Sequence, residues 1–521
     1  MKETNRRVRT RFAPSPTGPL HMGGVRTALY CYLFARKHEG DFILRIEDTD
    51  QNRFVPGAEE YIIEALRWVG LIPDEGVGFG DGKFPGKYGP YRQSDRKQMY
   101  AAYAEKLVSG GHAYYAFDTE EELKVWRENM EKQGNMAAGY NVITRQYMKN
   151  SITLPEDEVK QRIAAGDPYV VRFKMPRHEE VKFHDEIRGW VSFHSDQLDD
   201  KVLLKNDGMP TYHLANVVDD YTMEISHVIR GEEWLSSTPL HVLMYRAFGW
   251  EEKMPSFSHL PLILKPDGKG KLSKRDGDRL GFPVFPLSWK DQESGELSTG
   301  YRERGFFPEA FLNMLAFLGW NPGTDQEIFS LSELVEAFSL EKVHKAGARF
   351  DFDKTKWFNQ QYLRMRSDEE LADSVMPYIE SKGWETDREY VKQYIHLVKE
   401  RANFLSEIPD IGPYFFEELN QYDEITLSKK WKEERAALFL SLPSELESLE
   451  SFDSQSIETF IKDWMQRNNL GMGDVGPILR VALAGNMQGP PVFDTLSLLG
   501  KKRSINRLNK AFEYFSTRKN Q

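Results

Sequence analysis

A run of helix-breaking residues between a strand and a helix constrains the fold of this chain more than any other feature. The run reads RFAPSPTGPLHMGG over residues 11–24, and the segment that follows it has apolar residues at helical spacing. The alternating segment VRTRFAP leads into the run, and the apolar core of DFILRIEDTD comes after the helix. This short succession of strand, helix and strand predicts a parallel βαβ unit. In such sheets ligands bind beyond the carboxyl ends of the strands.

His21, Gly23 and Gly24 are the candidate binding residues of this run. A helix that begins there presents unpaired N–H groups to a phosphate, and the His21 imidazole could donate a hydrogen bond to a phosphate oxygen. The two glycines would let a ligand approach the backbone closely. The segment carries neither the G-x-G-x-x-G nor the G-x-x-x-x-G-K-[ST] motif. Helix capping or packing explains a histidine here equally well, so the run alone leaves its role open.

A second candidate stretch is GKLSKRDGD at residues 270–278. It places Lys271, Lys274 and Arg275 among glycines in a loop, where lysine ammoniums could neutralise the charge of a reacting triphosphate. Alone, such a stretch is more typical of a solvated basic loop. The combination of a phosphate-type helix start with a later lysine loop favours a nucleotide site.

The order of the predicted elements divides the chain into four parts. Short apolar strand patterns give way to a polar, mixed stretch near residue 97 and resume near residue 206. Beyond about residue 306 nearly every segment has helical periodicity. We therefore expect a split α/β domain with an insertion, followed by helical domains. The expected ranges are 1–96 with 206–262 for the split domain, 97–205 for the insertion, 263–365 for a linking domain with the lysine loop, and 366–521 for a helical domain.

Composition excludes several classes of protein. A single cysteine, Cys31, rules out an intrachain disulfide framework and a cysteine-based zinc site, and it favours a reducing compartment. No apolar run is long enough to cross a bilayer, and the N-terminus has no signal-peptide pattern, so we expect a cytoplasmic protein without a membrane partner. The net charge of −11 argues against indiscriminate binding to nucleic acid, but not against one specific RNA.

The two candidate stretches resemble the signatures of a known class of enzymes. PSPTGPLHMGG is similar to the HIGH signature, and KLSKR to the KMSKS signature, of class I aminoacyl-tRNA synthetases. The chain resembles the glutamyl-tRNA synthetases of bacteria and organelles in seven segments: TRFAPSPTG, RIEDTD, VPGAEE, GPYRQS, TYHLANVVDD, VIRGEEWLSSTPLHV and FFPEAFLNMLAFLGW. The resemblance is dense over residues 8–365 and weaker in the helical C-terminal region.

This resemblance implies a fold and a reaction. The fold is α/β: a split Rossmann-type catalytic domain with a parallel sheet and an inserted domain for the tRNA acceptor end, followed by an all-α region that binds the anticodon. The reaction ligates L-glutamate to tRNA(Glu) at the expense of ATP, through a glutamyl-adenylate intermediate and transfer to the 3′-terminal adenosine. Mg²⁺ would bridge the ATP phosphates, and the enzyme would act as a monomer.

The resemblance also implies roles for individual residues. His21 and Lys274 would be catalytic, holding the triphosphate as its charge moves to pyrophosphate. Arg11, Tyr212 and Asn216 would bind the side-chain carboxylate of glutamate, Arg230 its α-carboxylate and Glu47 its ammonium group. The full ATP set is His21, Gly23, Gly24, Glu233, Leu264, Lys271, Ser273, Lys274 and Arg275. The full glutamate set is Arg11, Ala13, Ser15, Glu47, Tyr212, Asn216, Arg230 and Trp234.

Some alternatives stay open at this point. Many members of the family bind zinc through cysteines after a tyrosine pair, but Ala116 and Asp118 stand there, so we expect no zinc. An enzyme that also glutamylates tRNA(Gln) would have the same α/β half. A small-molecule nucleotidyltransferase or a non-catalytic RNA-binding relic would share only the helix start. The long stretch after the lysine loop has no role that its sequence indicates.

Overall fold

The computed structural model describes residues 6–78, 86–132, 134 and 139–518. Its contacts divide the chain into two compact units, Met1–Arg304 with Pro308–Thr355, and Gly305–Phe307 with Lys356–Gln521. The strands are β1 Arg9–Phe12, β2 Asp41–Leu44, β3 Glu75–Gly76, β4 Ala113–Ala116, β5 Val170–Phe173, β6 Glu180–Asp185, β7 Gly189–His194, β8 Val202–Leu204, β9 His227–Gly231, β10 Ser256–Leu260, β11 Ile263–Leu264, β12 Trp289–Lys290, β13 Leu297–Ser298 and β14 Ala348–Arg349. 

The α-helices lie in both units. They are α1 Met22–Lys37, α2 Ala58–Trp68, α3 Lys97–Ser109, α4 Glu120–Lys132, α5 Glu156–Ala165, α6 Tyr212–Thr222, α7 Thr238–Ala247, α8 Lys274–Leu280, α9 Pro308–Phe317, α10 Leu331–Ala337, α11 Phe352–Met365, α12 Asp368–Ser381, α13 Arg388–Val398, α14 Ile408–Ile411, α15 Glu424–Lys430, α16 Ala436–Glu447, α17 Ser454–Arg467, α18 Met472–Ala484, α19 Val492–Leu499 and α20 Lys501–Thr517. Among the described residues no helix is long and apolar enough to span a membrane.

A seven-stranded sheet forms the centre of the first unit, in the order β3-β2-β1-β9-β10-β6-β7. All neighbours in it are parallel except β6 and β7, which form an antiparallel hairpin. β1, α1 and β2 make the βαβ unit that the sequence predicts, and every residue of β1 is buried. β1 and β9 lie side by side near the middle of the sheet, which places their carboxyl ends at a single crevice.

The segment between α3 and α6 contributes to two sheets. β4, β5 and β8 form a separate antiparallel sheet, with β5 in the middle. β6 instead joins the central sheet, through the pairing of Asp185 with Phe257 of β10. The sequence reads this whole segment as an insertion, whereas its β6–β7 hairpin extends the parallel sheet. The four domain boundaries given above stay a prediction.

The second unit is helical among its described residues. Its core contains apolar side chains from α12, α13 and α16–α20, among them Val375, Tyr394, Trp464 and Phe512, each fully buried. Ser367 and Asp453 cap the starts of α12 and α17 through hydrogen bonds to backbone N–H groups. The parallel sheet and this helical unit confirm the fold class that the sequence predicts.

Candidate active site

A cavity of about 590 Å³ lies at the carboxyl ends of β1, β2 and β9. Most of the residues expected in the binding sites line it: Arg11, Ala13, Ser15, His21, Gly23, Gly24, Glu47, Tyr212, Asn216, Arg230, Glu233, Trp234 and Lys271. Four others do not, namely Leu264, Ser273, Lys274 and Arg275. The structure therefore brings the glutamate set and part of the ATP set to one place.

His21 caps the start of α1 and keeps one ring nitrogen unpaired. Its Nδ1 accepts a hydrogen bond from the backbone N–H of Gly23 at 3.1 Å. Burial, with the Lys271 charge acting in the same direction, lowers the pKa of His21 to about 4, so the ring is neutral at pH 7. A neutral ring that accepts at Nδ1 carries its proton on Nε2, and Nε2 is buried with no hydrogen-bond partner in the described part of the chain. A buried donor without an acceptor indicates a ligand oxygen.

The two glycines after His21 have different reasons to be glycine. A Cβ on Gly24 would come within 2.4 Å of the Leu20 side chain, so packing against Leu20 favours the small residue. A Cβ on Gly23 would meet only His21 at 3.5 Å and Ile263 at 3.8 Å, which are ordinary contacts. No atom in the described part of the chain therefore requires glycine at Gly23, which lines the cavity.

A buried cluster of charges lies beside Arg11. Arg11 Nε donates to Asp220 Oδ1 at 3.1 Å, and Arg45 Nη1 donates to the same oxygen at 2.8 Å. Arg45 Nη2 donates to Glu47 Oε1 at 2.9 Å, and Asn216 Nδ2 donates to that oxygen at 3.1 Å. Among the described residues no donor bonds Glu47 Oε2. Arg11 therefore has a counter-ion, Asp220, which it shares with Arg45, and Glu47 keeps one carboxylate oxygen for a cation.

Arg230 is buried among neutral acceptors. Its Nη1 donates to the Tyr212 hydroxyl at 2.6 Å, its Nη2 to Thr238 Oγ1 at 2.8 Å and to the Trp234 carbonyl at 3.3 Å, and its Nε to His259 Nε2 at 3.1 Å. No Asp or Glu in the described part of the chain forms an ion pair with it. Within the described ranges, no acceptor bonds the second N–H of Nη1 or the O–H of Tyr212, whose oxygen accepts from Arg230. Together they present two donors to a carboxylate.

The aromatic wall of the cavity comes from Tyr212 and Trp234. Their rings lie 4.4 Å apart at an interplanar angle of 35°. Trp234 is 41% exposed, which distinguishes it from a core tryptophan. The pair forms a flat apolar surface next to the donors of Arg230, as expected for the stem of an amino-acid side chain.

Two lysines of the lysine loop form ion pairs with carboxylates. Lys271 pairs with Glu233 at 2.9 Å, and Lys274 pairs with Glu296 at 3.0 Å, both at exposed positions. Ser273 and Asp276 form a capping box at the start of α8, which gives Ser273 a structural role. Glu296 belongs to the β12–β13 hairpin, which follows the loop and packs Trp289 edge-on against Tyr61 of α2.

Arg275 and Leu264 lie around the loop. Arg275 is exposed on α8. Leu264 of β11 bridges to Lys271, and β11 pairs with β14. Leu264 therefore supports the base of the loop, outside the residues that line the cavity.

Sequence reasoning missed Arg45, Asp220, Asp185 and His259. Each is buried, and each contacts a residue that lines the cavity or the partner of one. The usable signal was a charged residue inside an apolar pattern, as in FILRI and NVVDD, because a charge on a buried face needs a partner.

The described residues contain no group of three or more His, Cys, Asp or Glu side chains that could hold a metal. Asp118, at a position where the family has a cysteine, accepts hydrogen bonds from the Tyr140 hydroxyl and the Lys149 backbone at 3.1 and 2.9 Å. The absence of zinc stays a prediction.

Known proteins match this chain over nearly its whole length. The family described as tRNA synthetases class I (E and Q), catalytic domain, matches residues 7–357, and an anticodon binding domain matches residues 370–512. The glutamate–tRNA ligase of Flavobacterium johnsoniae is 56% identical over 507 residues, which cover 97% of this chain and 99% of that protein. That of Porphyromonas gingivalis is 53% identical over 514 residues, which cover 98% and 99%.

Solved structures agree with these matches. A crystal structure of a glutamate tRNA ligase from Elizabethkingia meningosepticum, in complex with its amino acid, superposes with a TM-score of 0.93 at 51% identity and covers 98% of this chain and 99% of that one. A glutamate-tRNA synthetase from Elizabethkingia anophelis gives 0.91 at 51% identity, with 98% and 100% covered.

Proposed function

Because the chain belongs to the glutamate–tRNA ligase family of class I tRNA synthetases, and so attaches glutamate to tRNA with ATP as a substrate, we propose which of its residues bind each reactant. The reaction needs no enzyme nucleophile. The α-carboxylate of glutamate attacks the α-phosphorus of ATP, the bond to the β-phosphate oxygen breaks, and glutamyl-adenylate and pyrophosphate result. Catalysis then depends on positioning and on charge stabilisation.

His21 and the lysine loop bind the triphosphate. The observation that carries this proposal is the buried, unpartnered Nε2 of His21, whose N–H can donate to a phosphate oxygen without changing the charge of the ring. Lys271 lines the same cavity, and Lys274 lies three residues further along the loop. On ATP binding, the lysines exchange Glu233 and Glu296 for phosphate oxygens, which is feasible because exposed ion pairs contribute little, about 0–1 kcal/mol.

Arg230 and Arg11 bind the two carboxylates of glutamate, and Glu47 Oε2 binds its ammonium group. The ion pairs favour an exchange of the roles that the sequence suggested. Arg11 keeps Asp220 as a counter-ion whatever the ligand is, so it distinguishes a carboxylate from an amide poorly. Arg230 has no protein carboxylate, so a neutral glutamine side chain would leave its charge uncompensated. We therefore assign the side-chain carboxylate to Arg230 with Tyr212, and the α-carboxylate to Arg11.

The acyl group then passes to a terminal ribose hydroxyl of the tRNA. We propose tRNA(Glu) as the RNA substrate, with the antiparallel sheet β4-β5-β8 and its helices at the acceptor end. The helical region from residue 366 onward binds the anticodon. Charging of tRNA(Gln) as well is the alternative, and it depends on that helical region.

Mg²⁺ enters on the phosphates of ATP, as part of the substrate. The described residues supply no cluster of ligands for a resident metal, which supports this reading. We further propose a monomer in the cytoplasm. The single, buried thiol of Cys31 fits a reducing compartment.

The test is ATP–pyrophosphate exchange and tRNA charging with purified protein, with glutamate and glutamine in parallel. Replacing Arg230 by Met should lower kcat/KM for glutamate by at least about 100-fold and abolish the preference for glutamate over glutamine. Replacing His21 by Phe should slow exchange by about 100-fold or more with little change in the KM for glutamate. An Arg230→Met enzyme that still prefers glutamate would overturn the assignment.

A further inference from the structure

One fully buried residue, His259, connects Arg230 to the carboxylate of Asp185, which Arg230 does not touch. His259 Nδ1 lies 2.6 Å from Asp185 Oδ2, and both side chains are inaccessible to solvent. On the other edge of the ring, His259 Nε2 accepts from Arg230 Nε at 3.1 Å and lies 3.1 Å from Thr238 Oγ1. The three residues come from adjacent parallel strands: Asp185 ends β6, His259 lies in β10, and Arg230 lies opposite His259 in β9.

These contacts require one tautomer of His259. Burial, together with the nearby charge of Arg230, lowers the pKa of the ring against the opposing effect of Asp185, so it is neutral at pH 7. The proton then sits on Nδ1, facing the carboxylate, and the lone pair of Nε2 faces the guanidinium. The opposite tautomer would point an N–H at the N–H of Arg230.

Backbone N–H groups hold Asp185 in place independently of the His259 side chain. Its Oδ1 accepts from the backbone N–H groups of Ile187 and Arg188 at 3.0 and 2.8 Å, and its Oδ2 from the backbone N–H of His259 at 3.1 Å. Although burial acts to raise it, these bonds and the His259 side chain keep the pKa of Asp185 below its usual value. The carboxylate is therefore ionised and immobile.

We propose that Asp185 and His259 are positioning residues for glutamate binding: Asp185 fixes the tautomer of His259, and His259 fixes the plane of Arg230 against the substrate. Neither residue is among those that line the cavity. The inference rests on the proposed role of Arg230. The neutral ring lets the carboxylate orient the guanidinium without pairing with it, so that the charge of Arg230 stays available to the side-chain carboxylate of the substrate.

The decisive variant is Asp185→Asn. Because Oδ1 accepts from two backbone N–H groups, the new amide nitrogen replaces Oδ2 and faces His259. There it loses the bond from the His259 backbone N–H and donates to Nδ1, which forces the opposite tautomer of the ring. We expect the KM for glutamate in the charging reaction to rise by about tenfold or more, with the KM for ATP unchanged within about twofold. His259→Gln should retain most of the glutamate affinity, because its amide can donate to Asp185 and accept from Arg230. His259→Leu should match Asp185→Asn.

Asp200→Asn is the matched control. Asp200 is equally buried and bonds the side chains of Tyr114 and Arg145, and no contact in the described part of the chain joins it to the Arg230 network. It should leave both KM values unchanged. The proposal is overturned if Asp185→Asn leaves the KM for glutamate unchanged, or if it raises the KM for ATP to the same extent. If instead Arg230→Met itself leaves glutamate binding intact, the proposed role of Arg230 fails first, and the two failures are thereby separated.

Discussion

Two buried arginines with different electrostatic surroundings, Arg45 and Arg230, should lose very different amounts of stability on the same substitution. Arg45 is fully buried and pairs with Glu47 at 2.9 Å and with Asp220 at 2.8 Å, with Asp219 at 3.9 Å. Arg45→Met removes the one ion-pair partner that Glu47 has among the described residues, and it leaves a buried carboxylate beside Asn216. Breaking a buried pair in this way costs about 3–5 kcal/mol. Burial already raises the pKa of Glu47 against the effect of Arg45, so that carboxyl should become protonated in the variant.

Arg230→Met removes a charge that has only neutral partners. Thr238 Oγ1 and His259 Nε2 lie 3.1 Å apart and can bond each other, so no buried acceptor is left alone there. The lost hydrogen bonds and the relieved burial of a charge nearly cancel, and we expect a change in stability below about 1 kcal/mol. Glutamate at 100 times its Kd should add about 2.7 kcal/mol to the wild type and nothing to Arg230→Met.

The assay is native-state hydrogen exchange of the amides of β1 and β9, which reports on the first unit by itself. The reasoning is refuted if Arg230→Met destabilises these strands as much as Arg45→Met does. The reasoning is refuted equally if added glutamate slows the hydrogen exchange of Arg230→Met as well as that of Arg45→Met.

Three further predictions follow from the same contacts. Burial lowers the pKa of His21, His213 and His227 to about 4 each, so the unfolded chain takes up their protons first as the pH falls. Urea unfolding should therefore show stability falling between about pH 6.5 and pH 4, by about 1.4 kcal/mol per pH unit for each histidine, and His227→Gln should reduce this slope. Glu296→Gln frees Lys274 and should lower the KM for ATP by up to about fivefold, whereas Glu293→Gln in the same turn should not. A zinc chelator with Mg²⁺ in excess should leave charging unchanged, and a loss that added zinc restores would contradict the zinc prediction.

The residue pattern of a short segment correctly predicted those elements whose structure depends on that segment alone. The βαβ unit of β1, α1 and β2 follows from helix breakers, helical spacing and an apolar strand within one short segment, and the helical C-terminal unit follows from periodicity. The β6–β7 hairpin was missed as part of the central sheet because its place depends on β10, more than 60 residues later in the chain. Pairing between distant segments leaves no mark in the periodicity of either.

The charges of the site show the same limit. Arg11 and Arg230 were identified through the resemblance, but the counter-ion of Arg11 was not, because Asp220 lies 209 residues from Arg11. A buried guanidinium and a solvated one look alike in a sequence. Only the contacts show that one arginine is compensated and the other is not, and this difference changes the role that each is assigned.

The cavity holds three polar groups whose partners are incomplete, and together they match the reactants. Nε2–H of His21 lacks an acceptor, Oε2 of Glu47 lacks a donor, and Arg230 lacks a counter-ion among the described residues. A carboxylate placed directly against Arg230 would have neutralised the charge of this arginine. The arginine would then not need the carboxylate of a substrate as its counter-ion. With the neutral ring of His259 between them, Asp185 fixes the direction of the guanidinium and leaves its charge uncompensated. Under the proposed role of Arg230, selectivity for an anionic side chain arises because only such a ligand neutralises the charge of this arginine.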